Sequence, residues 1–191
     1  MEPFFMKRNL LLGAIAAAIA VPALAFGVNS GLNKGQMVSP FHPKHLAGPL
    51  AGSSNCFPCT FQNRPQVQVW VNGDDAKNVT AIASNLSKAM KTYSGKEFKA
   101  LVVFITTPET AAKTEALVKS AAKMPETSGV GMALLDSKDD AVNNYKINTT
   151  ADVKNTVFVY KDWKVAEKFV NLKADSKGIT QLNTAIAGIA K

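Results

Sequence analysis

Thr156-Val157-Phe158-Val159-Tyr160 and Val165-Ala166-Glu167-Lys168-Phe169-Val170 stand on either side of Lys161-Asp162-Trp163-Lys164. Two β-rich runs with so short a break predict an antiparallel hairpin. Upstream of it, strand and helix signals alternate, which is the pattern of parallel strands joined by crossover helices. A parallel series that ends in a hairpin must give a mixed sheet.

The upstream signals can be read one at a time. Val67, Val69 and Val71 with Trp70 form a short strand closed by Asn72-Gly73. Asp74 or Asp75 caps a helix whose apolar face is Val79, Ile82, Ala83, Leu86, Ala89, Met90 and Tyr93. Ser94-Gly95 ends that helix, and Ala100 to Ile105 is an unbroken apolar run suited to a strand covered on both faces. Thr107 and Pro108 supply a cap and a first-turn proline for a helix reaching about Lys123. A strand over Val130–Leu135 and a short helix over Lys138–Tyr145 follow. Behind the hairpin, Ile179, Leu182, Ile186 and Ile189 mark one face of a last helix. The order β-α-β-α-β-α-β-β-α predicts an α/β domain over 67–191, a mixed sheet with helices on both faces.

This order resembles the thioredoxin fold. Ala133-Leu-Leu-Asp136 with Asp139 to Ile147 is similar to the family's third strand and the short helix after it. Asn155 to Tyr160 with Lys161 to Val165 is similar to its substrate-binding hairpin. The resemblance implies a redox position where a central strand opens a helix. Placed after Ala100 to Ile105, that position reads Thr106-Thr107-Pro108-Glu109-Thr110, without cysteine. The family's cis-proline maps to Asn155.

The only two cysteines lie upstream of the domain, in Cys56-Phe57-Pro58-Cys59. Sulfurs three positions apart can close a small ring, and one thiolate can attack a mixed disulfide that the other resolves. The C-x-P-C spacing also resembles thioredoxin-like redox motifs. Thr60 to Pro65 behind it reads as a poor helix, so no long helix is expected to lower a thiolate pKa. Cys56 and Cys59 are thus a redox pair or a structural disulfide. A redox pair takes protein thiols as partners; a structural one leaves the sheet and hairpin to bind a protein or peptide.

A metal is the third reading. The only histidines, His42 and His45, share this region, and with Cys56 and Cys59 they offer two nitrogens and two sulfurs. Such a set suits zinc or copper. Against it stands the plainer expectation that both histidines face solvent in a loop constrained by Pro40, Pro43 and Pro49. No motif calls for any other cofactor.

Residues 26–66 are rich in Gly, Pro, Ser and Asn and read as an irregular arm. Residues 1–25 read as a signal peptide: Lys7-Arg8, an apolar run from Leu10 to Val21, then Ala23-Leu24-Ala25. The run is shorter than the roughly 20 residues that span a bilayer. It resembles a bacterial secretory signal, so the mature chain, beginning at Phe26, is expected to be extracytoplasmic, with no membrane span left. An uncleaved anchor is the alternative. The 191-residue chain carries a formal charge of +8, yet of its 22 basic side chains only Arg8 and Arg64 are arginine. Scattered lysines with so little arginine argue against a nucleic-acid partner.

Overall fold

The computed structural model describes Met1 and residues 28–191. The signal-peptide segment and its cleavage point lie outside the described residues.

Among the described residues eleven strands and α-helices follow one another: β1 (Lys44–Ala47), α1 (Phe57–Phe61), β2 (Gln66–Val71), α2 (Ala76–Thr92), β3 (Lys99–Thr106) and α3 (Pro108–Ala121); then β4 (Gly131–Asp136), α4 (Asp140–Asn144), β5 (Asn155–Lys161), β6 (Lys164–Val170) and α5 (Ser176–Ala190). From β2 onward they reproduce the order expected from the sequence. The strands form one six-stranded sheet, ordered β1-β4-β3-β2-β5-β6. β2, β3 and β4 run parallel; β1, β5 and β6 supply antiparallel pairings.

The helices divide unequally between the faces, and the topology says why. β2, β3 and β4 are laid down in one direction across the sheet, so right-handed crossovers carry α2 and α3 to the same face. Val79, Ile82 and Leu86 of α2, Val118 of α3, and Leu182 and Ile186 of α5 share a core with Val69, Val102, Met132 and Val157. The opposite face presents Trp70, Leu101, Val103, Leu135, Phe158 and Tyr160. No crossover remains to cover it except the short α4.

The segment from Ser30 to Phe61 covers that second face. Leu32, Val38, Phe41, Phe57 and Phe61 are buried against it, joined by Tyr145 from the end of α4. Gly31 is required here: its φ is +84°, and a Cβ would stand 2.6 Å from the Phe158 ring. Ser30 and Thr156 hydroxyls bond at 2.7 Å, and Tyr145 donates to the Ser39 carbonyl at 2.6 Å. Lys168 reaches Asn33 at 2.9 Å. At the hairpin tip Asp162 and Trp163 both have positive φ, as a tight two-residue turn demands. That turn aims the Trp163 carbonyl at Val38 N–H, 2.8 Å away.

Candidate functional site

Cys56 and Cys59 form a disulfide, with Cα atoms 5.2 Å apart. The stretch behind the pair, residues 60–65, is helical only as far as Phe61, the end of the five-residue α1 that forms around the pair itself. Cys56 is its N-cap and accepts the Cys59 N–H at 3.2 Å, while Pro58 sits in the first turn, where a missing N–H costs nothing. Phe57 and Phe61, one turn apart, meet edge to face at 4.7 Å and are both buried. Tertiary packing therefore holds a helix that propensity alone would not, and it ends at Gln62 with φ 47°.

The two sulfurs occupy different surroundings. Cys56 keeps 5% of its surface, whereas Cys59 is exposed. The whole unit sits at the N-terminal ends of the parallel strands. Phe61 lies under the ammonium of Lys99, the first residue of β3, and Phe57 lies close to Gly131, the first of β4. Asn72, Thr107 and Asn155 are at the far end, a β2 length of about 17 Å away.

The histidines separate in the same way. His42 is exposed and donates from Nδ1 to the Ser54 carbonyl at 3.0 Å. His45, expected to face solvent, is instead only 2% exposed on β1. Its Nε2 donates to Asn55 O at 2.9 Å, its Nδ1 has no partner, and its ring stacks on Phe57. Burial lowers its pKa from 6.5, partly countered by the Asn55 bond. Both sulfurs are bonded to each other. Among the described residues no group of three or more His, Cys, Asp or Glu side chains is placed to hold a metal ion.

At the other end, the structure moves the position equivalent to a thioredoxin redox pair. The strand beside the hairpin is β2, not β3: Val71 lies opposite Asn155. The turn that faces Asn155 and opens a helix is therefore Asn72-Gly73-Asp74-Asp75, rather than Thr106 to Thr110. It too lacks cysteine. Asp74 Oδ2 accepts from Asn155 Nδ2 at 2.6 Å and from Asn78 Nδ2 at 2.8 Å. Asn155 Oδ1 accepts the Leu172 N–H and Asn78 Oδ1 the Ala174 N–H. Thr107 opens α3, its N–H donating to the Thr110 hydroxyl at 2.9 Å. Beside this clasp a cavity of about 540 Å³ opens between α2 and α3, lined by Val79, Ala83, Phe104, Thr110, Thr114 and Leu117 among others.

A second polar cluster, without a signal in the sequence, lies on β2 and β5. Tyr160 donates to Gln66 at 2.7 Å, Gln68 donates to Tyr160 at 2.8 Å, and Trp70 donates to Gln68 at 3.1 Å. Burial pushes the Tyr160 hydroxyl well above its ordinary range. Alternating Gln66 and Gln68 suggest a wet face; the covering N-terminal segment makes it dry.

No protein-family model matches the chain, and no curated protein matches it. Solved structures do match in shape. An uncharacterized conserved protein from Geobacillus kaustophilus is 12% identical, with a TM-score of 0.62 over 85% of this chain and 87% of that one. A putative protein disulfide isomerase from Bacteroides thetaiotaomicron is 12% identical, with a TM-score of 0.60 over 85% and 94%. A putative thiol:disulfide interchange protein DsbE from Chlorobium tepidum is 11% identical, with a TM-score of 0.57 over 84% and 99%. The chain has a thioredoxin-like fold. Its form is divergent, with the C-x-x-C ahead of β2 and the hydrogen-bonded clasp after it.

Proposed function

We propose that this protein is exported and exchanges disulfides with protein thiols through Cys56 and Cys59. The observation that carries the reading is the pairing of an exposed Cys59 with a buried Cys56 in one disulfide. Exchange needs one sulfur within a partner's reach and a second, guarded one to close the ring again. A purely structural role is less well served. The bond spans one turn of chain, ties no distant segments together, and restricts the unfolded chain little. The N-terminal sequence supports export, into a compartment where such a pair rests oxidised. Equilibration with glutathione buffers, followed by trapping of free thiols, tests the reading. The pair should open at potentials above about −300 mV, the range below which inert bridges lie. A pair still closed in a buffer poised at about −300 mV is structural.

The second reading is a non-catalytic binding module, favoured by the cavity between α2 and α3 beside a clasp without thiols. On that reading, replacing both cysteines by serine leaves the biological role intact.

A further inference from the structure

We infer that exchange begins at the second cysteine of the motif: a partner thiolate attacks Cys59, and Cys56 is the sulfur that leaves. The inference rests on the exchange reading and adds a direction to it. A thiolate must reach the sulfur it attacks, and access decides which of two otherwise similar sulfurs is taken. Cys56 and the next two residues, Phe57 and Pro58, are all buried. Cys59 and Thr60 are exposed, as are Ser54 and Asn55 on the approach to the motif. Attack on Cys56 would have to come through the α1 packing, whereas Cys59 lies in the exposed part of the motif.

The leaving side is prepared as well. The Cys59 N–H already points at the Cys56 sulfur, at 3.2 Å. A hydrogen bond from a backbone amide favours the charged form of the group it meets. When the partner's sulfur bonds to Cys59, the S–S bond breaks and its electron pair goes to Cys56. Cys56 then takes a proton from solvent. A second thiolate on the partner attacks the partner's own sulfur in the mixed disulfide and releases Cys59 as a thiolate. Two electrons have passed from the partner dithiol to the pair, and the partner leaves as a disulfide. In the reverse direction Cys56 is the resolving sulfur, sheltered from stray thiols.

Two measurements test the assignment with glutathione as the probe. The oxidised protein is treated with reduced glutathione, quenched with acid and alkylated, and the adduct is located by peptide fragmentation. It is expected on Cys59, and an adduct on Cys56 overturns the inference while leaving exchange intact. Separately, reduced Cys56→Ala and Cys59→Ala variants react with glutathione disulfide. The variant keeping Cys59 should react at least about tenfold faster, since the thiolate must be accessible to act. Equal rates, or a faster Cys59→Ala variant, also overturn it. The adduct map uses the unaltered chain, so a variant that fails to fold does not remove the test. A native pair that glutathione never opens removes the exchange reading itself, and the inference falls with it.

Discussion

The two ends of the parallel strands carry opposite chemistry. At the N-terminal end a disulfide stands on a five-residue helix with one cysteine exposed. At the C-terminal end, where ligands of open α/β sheets usually collect, Asp74, Asn78 and Asn155 are locked into one another and into the 172–174 backbone. The first end has a disulfide, held through the packing of Phe57 and Phe61. The second has much to hold it and no thiol. The fold therefore does not dictate where its cysteines lie; short segments grafted onto it do.

The sharpest way to break this contrast is at the clasp. Asn155→Ala removes the partners of Leu172 N–H and of Asp74 in a buried setting, and should cost about 3 kcal/mol in urea unfolding. The glutathione reactivity of Cys59 should stay unchanged in the same variant. A changed rate would mean that the ends are coupled.

Tyr160→Phe asks how firmly the dry face under the N-terminal segment is held. It strands Gln66 Oε1 and the Gln68 amide, with an expected loss of about 2 kcal/mol by the same measurement. A neutral result would mean that water reaches the network and the cover is loose.

The cysteine pair itself should matter less to stability. Replacing both by serine is expected to cost about 1 kcal/mol, because the closed ring is so short. A loss of about 4 kcal/mol, typical of a long-loop structural bridge, would make the disulfide as much a holding device as the clasp.

The smallest effect concerns His45. Its folded-state pKa lies below 6.5, so the unfolded chain binds the proton more readily. The stabilising contribution of the neutral ring is complete above about pH 6.5 and is lost as pH falls through the folded value. Chemical denaturation between pH 7 and pH 5 should register a small loss of stability as the pH falls. His45→Gln should flatten it. An unchanged slope in that variant would mean that another group carries the pH dependence.

How far the sequence could be read differs between the same two ends. Around the hairpin it was read well, since the alternation of Val157 and Val159 with Phe158 and Tyr160 is local and needs no knowledge of neighbours. The redox-equivalent turn depends on whether β2 or β3 lies against β5, and it is β2. Both are short apolar strands followed by a capped helix, and their sequences do not carry that difference. At the disulfide, the pairing of adjacent cysteines could be foreseen, but α1 could not. Its five residues lack any periodic signal, and Phe57 and Phe61 make it stable only by packing on the sheet.

Periodicity, caps and turn residues act over a few neighbouring positions, so the sequence by itself determined the order of elements from β2 to α5. It likewise determined the inward faces of α2 and α5 and the absence of a cysteine at either strand-to-helix turn. Tertiary structure alone decided that Ser30 to Phe61 would be a cover, that Gln66 and Gln68 would be dry, that Asp74 would meet Asn155, and that Cys56 would be hidden while Cys59 is not. Each of these depends on which surfaces remain bare once the helices have gathered on one face, a condition set by contacts between residues far apart in the chain.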